Sequence, residues 1–336
     1  MVCSGFCKCL PREGRHLLAG LVFVTVIALG TSPLAEPLVV EQVGGFESPT
    51  RVALTSSGDI YVADTGRGVV VVLDQTGKRI GTIKGLKAPL GLAVLETADA
   101  GKKGKDKYKP KKDETPPTTV YVGDEADGSV RIFVDGVEVG FLGSGSGEFL
   151  KPNGIAVTQT QTVYVVDSKA HEVKVYDGLG NFQFAFGTPG YGDGQFTFPT
   201  DIAIDETRGE VYVTDFAVIT ETNTLPGRIA VFDLGGVWLR NIDPPPAPDL
   251  PEPYPIFFRL AGLGMDPAGN LYVVDNALSS VTVIDGDGAL IDVIGYRGGQ
   301  YWTGELAVPV DAVVDGTRIY VTSSGKRLLV VFEVVP

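Results

Sequence analysis

The sequence predicts an all-β fold, a six-bladed β-propeller of four-stranded antiparallel blades, on three observations. Tyr-Val-x-Asp recurs as YVAD at 61–64, YVGD at 121–124, YVVD at 164–167, YVTD at 212–215 and YVVD at 272–275, with YVTS at 320–323. Each copy sits between two further short apolar runs, as the first does between RVAL (51–54) and VVVLD ending at Asp74. Successive motif ends are 60, 43, 48, 60 and 48 residues apart, a loosely constant period. A unit of this size buries both its faces only by stacking against its neighbours, and six such units close into a ring.

The plainest copy is Pro152–Gly187. Its runs GIAV, TVYVVD, EVKVYD and FQFAFG are separated by Gly, Asn, Asp, Ser and Thr, which reads as four strands in meander order. Fourth strands are expected at 79–85, 137–143, 182–187, 238–243 and 290–295. The sixth copy has none before Pro336. The missing strand lies at the other end, where LVVEQVG (38–44) has the pattern of a fourth strand. It is predicted to complete blade six and close the ring, which removes the sheet edges an open toroid would expose. Strands buried on both faces also account for continuous apolar runs such as VVVVL (69–73) in place of clean alternation.

The Pro-x-Gly/Asp-Ile-Ala-Val starts (Pro152–Val157, Pro199–Ile204), the Tyr-Val-x-Asp runs and the Val-x-Val-Phe/Tyr-Asp runs resemble NHL repeats. So do the joints GSGSGEF (143–149) and GYGDGQF (190–196), and the resemblance extends over residues 37–335. Blade five departs from the pattern with Leu260 in place of Pro, and blade six with Ser323 in place of Asp. The resemblance implies a rigid disc acting as a non-catalytic module that binds another protein or a small ligand.

Lys8, Arg12 and Arg15 precede the apolar stretch LLAGLVFVTVIALG (17–30), followed by TSPLAEP. That order is expected of a signal peptide over residues 1–35, cleaved near 30–35, with an uncleaved inner-membrane anchor as the lesser reading. The protein is then periplasmic or secreted, a single domain over 36–336. Cys3, Cys7 and Cys9 all fall in the leader, so the remainder carries no thiol. Without Lys8, Arg12, Arg15 and Glu13 the balance is 25 basic against 40 acidic residues, a net charge of −15. That sign, with export, argues against nucleic acid as a partner, although some cytoplasmic NHL proteins bind RNA. A monomer is expected, with another envelope or extracellular protein or a small ligand as partner.

Two inserts stand out. Residues 97–118, TADAGKKGKDKYKPKKDETPPT, form a Lys-rich loop whose segment Lys102–Lys112 offers weak contact with an anionic membrane surface. Residues 216–227 form an insert between the second and third strands of blade four. The joint PPPAPDLPEPYP (244–255) holds seven Pro and is expected to be extended. Propeller geometry puts this insert and the Pro-rich joint on one face, opposite the Lys-rich loop. Phe216, Ile219, Phe257 and Phe258 are the candidate partner surface on it.

Only His171 lies outside the leader, so a multi-histidine zinc site cannot be built, and a Ser-His-Asp triad lacks its nucleophile elbow. The Asp residues ending the second strands read as acceptors for turn N–H groups. Asn153, Asp201 and Asp311 lie at the starts of first strands, near the channel mouth. No cofactor is predicted outright, but hard oxygens from three blades converging on the axis would suit Ca2+. They carry the alternative reading, a metal-assisted hydrolase or lyase of lactonase-like type.

Overall fold

The computed structural model describes residues 38–96, 116–216, 218–219, 224–245, 257–297, 300–301 and 306–334. The predicted leader, the Lys-rich segment 97–115 with Lys102–Lys112, and residues 246–256 of the Pro-rich joint lie outside them.

Six antiparallel meanders follow one another along the chain. Blade one is built from Pro49–Leu54, Ile60–Asp64, Val69–Leu73 and Arg79–Ile83. Blade two uses Pro89–Glu96, Thr118–Asp124, Ser129–Val134 and Val137–Phe141. Blade three uses Pro152–Val157, Val163–Asp167, Glu172–Tyr176 and Phe182–Phe186. Blade four uses Pro199–Asp205, Glu210–Asp215, Arg228–Asp233 and Trp238–Ile242. Blade five uses Leu260–Met265, Leu271–Asp275, Ser280–Ile284 and Leu290–Ile294.

Blade six joins Pro309–Asp315, Arg318–Ser323 and Leu328–Glu333 to Leu38–Val43, whose register runs from Leu38 opposite Glu333 to Val43 opposite Leu329. The predicted closure is what the chain adopts. A two-residue hairpin, Val218–Ile219 against Thr224–Leu225, caps the blade-four insert.

Each first strand touches the first strands of both neighbouring blades, so these six line the axis. Apolar clusters fill the gaps between blades. Val173, Phe186, Phe196, Ile202, Val213 and Phe232 fill the one between blades three and four. Their burial supplies the main stabilising term, at about 25 cal/mol per Å² of apolar area.

The recurring Asp at the end of each second strand has a definite task. Asp64 accepts hydrogen bonds from the N–H groups of Glu47 and Ser48, Asp124 from Lys87 and Ala88, and Asp167 from Leu150 and Lys151. Asp215 takes those of Thr197 and Phe198, and Asp275 those of Phe258 and Arg259. The acceptors are fully buried or nearly so, and burial pushes the Asp215 and Asp275 carboxyls up. In blade six, Ser323 substitutes a hydroxyl, accepting from the Ala307 N–H at 3.0 Å. Each clasp therefore fixes the backbone of the joint just before a first strand, on the face where that strand begins.

Candidate binding site at the propeller axis

Every first strand begins with a break in its ladder, between Pro49 and Arg51 in blade one and between Pro309 and Asp311 in blade six. Such bulges turn side chains out of the regular alternation. Where the ladder leaves an N–H unpaired, a hydroxyl takes it: Thr214 accepts from Asp201 N–H and Thr322 from Asp311 N–H, both at 3.0 Å. The third residue of each first strand thereby meets its counterparts near the axis. Around the ring these residues are Arg51, Gly91, Gly154, Asp201, Gly262 and Asp311.

The glycines are required by close approach. A Cβ on Gly154 would lie 2.6 Å from an Asp201 carboxylate oxygen, and one on Gly262 would lie 2.8 Å from an Asp311 oxygen. Among these close-packed strands the side chain of Arg51 is buried. One guanidinium nitrogen donates to Ala261 C=O at 2.8 Å and lies 3.3 Å from Asp201 Oδ2 and 3.8 Å from Asp311 Oδ1. The other donates to Asn153 Oδ1 and Thr200 C=O, both at 2.9 Å. Arg51 is 3% exposed, so one buried cation from blade one binds groups from blades three, four, five and six.

Asn153, Asp201 and Asp311 do converge, but on a guanidinium. Leu263 N–H also donates to Asp201 Oδ2 at 2.8 Å, Val52 N–H to Asp311 Oδ2 at 3.0 Å, and Asn153 Nδ2 to Ser168 Oγ at 3.1 Å. Each of these side chains already accepts from N–H donors, and a divalent ion among them would face the Arg51 charge at contact distance. Among the described residues no cluster of three or more His, Cys, Asp or Glu side chains could hold a metal. The three residues as placed do not fit a Ca2+ site.

Burial, then the neighbouring Asp201 charge, pushes the Asp311 carboxyl up to about 7 against the opposing pull of Arg51; burial raises Asp201 as well. The folded protein thus keeps a proton that the unfolded chain releases near pH 4. Stability from this source is complete below that value and is lost as pH rises through about 7. The span amounts to roughly 4 kcal/mol, from about 1.4 kcal/mol per pH unit. Urea unfolding at pH 5 and pH 8 should show the wild type weaker at pH 8, with a flatter slope for Asp311→Asn. Equal slopes in the two proteins would show that this carboxyl does not titrate in that range.

Above Arg51 a pocket of about 460 Å³ opens at the channel mouth. Its floor is formed by the second residues of five first strands, Leu90, Asn153, Thr200, Ala261 and Val310, with Arg51. Its wall comes from the clasped joints, through Lys151, Phe198 and Arg259, and from the residues following two second strands, Phe216 and Asn276. The Phe198 and Phe216 rings lie 5.2 Å apart at 31°; Lys151 Nζ stands 5.7 Å from the Phe198 ring and the Arg259 guanidinium carbon 5.9 Å from Phe216. This is the face singled out from loop geometry.

Of the residues proposed there, Phe216 lines the pocket. Phe258 is half-buried, next in the chain to Arg259, while Phe257 is fully buried in the core between blades four and five and presents no surface. The Ile219 side chain lies outside what is described. Arg51, Lys151, Phe198 and Arg259 escaped the sequence reading. Stacking the six first strands in register would have found them: Arg51 is the one cation in its column, and Lys151, Phe198 and Arg259 share the column just before the strands with Ser48, Ala88 and Val308.

Residues 46–74 match the NHL repeat model, and residues 159–220 match the model of a 6-bladed β-propeller family. A stretch of 156 residues, 46% of this chain, is 26% identical to the Drosophila melanogaster protein brain tumor, of which it covers only 13%. Among solved structures, a gluconolactonase of Xanthomonas campestris superposes with a TM-score of 0.60 at 13% identity, covering 90% of this chain and 97% of that one. A streptogramin B lyase (TM-score 0.54, 11% identity, 88% and 87% covered) and a chain of a nidogen–laminin complex (0.55, 16%, 85% and 89%) are also similar. At these identities the likeness is one of fold.

Proposed function

For a six-bladed β-propeller that carries an NHL repeat, we propose the role of an exported, non-catalytic binding module that receives a ligand or partner at the mouth of its central channel. The observation that carries this reading is the pocket over Arg51: it is concave, of the size ligands need, and built from residues of all six blades. Among the described lining residues its polar groups are cations, amides and the Thr200 hydroxyl, with no histidine, serine or carboxylate placed to act as nucleophile or base. Export rests on the leader pattern of residues 1–35.

The competing reading, a metal-assisted hydrolase or lyase, has the fold in its favour and the Arg51 guanidinium against it. A fragment screen by crystal soaking tests the first, using the chain from Glu36. Fragments should gather in the axial pocket; a scatter over the surface with none in the pocket would defeat the proposal. Elemental analysis with a lactone and ester screen tests the second. About one divalent ion per chain, lost together with turnover in Asp201→Ala/Asp311→Ala, would establish the enzyme instead.

A further inference from the structure

Resting on that reading, we infer that the axial pocket is selective for a small aromatic carboxylate, its ring against Phe198 and Phe216 and its carboxylate on Arg259. The chain as a whole carries 41 acidic against 28 basic residues. The pocket inverts this: among its described lining residues three are basic and none is acidic. Arg51 is already neutralised from below by Asp201 and Asp311, which leaves the two basic residues of the wall.

Arg259 is exposed and forms no ion pair among the described residues, while its backbone N–H is held at 2.9 Å by Asp275. A guanidinium fixed at its root and open at its head suits a carboxylate in bidentate fashion. Lys151, at the Phe198 end of the ring pair, adds positive charge at the mouth: its ion pair with Glu125 is long, 3.7 Å, and Glu125 has a closer partner in Lys169 at 3.2 Å. The Asn276 side-chain amide, on the same wall, has no hydrogen bond among the described residues and can donate to the second carboxylate oxygen.

Apart from Asn153 and Thr200, which face Arg51, the rest of the described lining is apolar. Phe198 and Phe216 form a tilted pair between the two cations, above Leu90, Ala261 and Val310. Inorganic phosphate or a sugar acid would leave this surface facing a polar ligand; a flat ring covers it and gains from stacking. At about 460 Å³ the site holds one such molecule and not a folded partner.

The test is calorimetric titration of the chain from Glu36 with 1-naphthoate, 1-naphthamide and inorganic phosphate at low and high salt. Naphthoate should bind at least about tenfold more tightly than the isosteric amide, more weakly at high salt, and phosphate should not bind. Arg259→Gln, at an exposed position, should erase the preference for the acid, with Arg259→Lys restoring part of it. Phe216→Leu should weaken acid and amide alike.

Equal binding of acid and amide, or an acid preference untouched by Arg259→Gln, would overturn the inference yet leave a pocket that binds ligands. An acidic peptide that binds while naphthoate does not would also overturn it, in favour of a protein partner. Failure of every fragment to seat in the pocket is the separate result that defeats the broader reading.

Discussion

Replacing Arg51 by Met should cost about 3–5 kcal/mol of stability. The side chain is 3% exposed, and its removal leaves Asp201 and Asp311, 6% exposed each, without a counter-charge in the tightest part of the ring. It also frees the Ala261 and Thr200 carbonyls and the Asn153 amide oxygen from their donor. Arg51→Lys should recover little, because one ammonium cannot serve partners on four blades from a single point. Urea unfolding measures this directly. The triple variant Arg51→Met/Asp201→Asn/Asp311→Asn should regain part of the loss, since it removes the uncompensated carboxylates. A loss under about 1 kcal/mol for Arg51→Met would mean that the ring does not depend on its central cation.

Deleting residues 38–43 should have the second large effect. The strand packs Val39 and Val43 against the apolar clusters on either side of blade six and covers the edge of Leu328–Glu333. Its outward positions, Leu38 and Val40, are exposed and contribute little. Without it, Leu329, Val330, Val331 and Phe332, now almost fully buried, lie on an open edge able to pair with another chain. The expected results are a lower midpoint in thermal unfolding and concentration-dependent association in solution. A monomeric deletion variant melting at the wild-type temperature would contradict the closure.

How much of this was legible beforehand follows the physics of each signal. Strand positions came through almost residue by residue, because Tyr-Val-x-Asp alternates apolar packing with a carboxylate that must end the strand. The closing strand could be read because the sixth unit lacked one and Leu38–Val43 had the right pattern. The face carrying Phe216 followed from loop geometry alone. Phe257 misled because an aromatic beside a Pro-rich joint looks exposed, whereas its burial depends on blades four and five meeting over it.

The centre was half legible. Asn153, Asp201 and Asp311 were placed at the axis correctly, yet oxygen atoms in sequence do not declare which cation they face. That cation was Arg51, from a strand about 100 residues earlier than the nearest of the three, whose charge has significance only once six strands stand in register.

The joint clasps separate frame from message. In blades one to five the buried Asp grips the residue just before the first strand by its backbone N–H, so it places no demand on the side chains of Ser48, Ala88, Lys151, Phe198 and Arg259. Those positions are held in place whatever residue occupies them. A new specificity at the channel mouth could therefore be written by exchanging these five residues in combination, with the folding signals of the chain left unaltered.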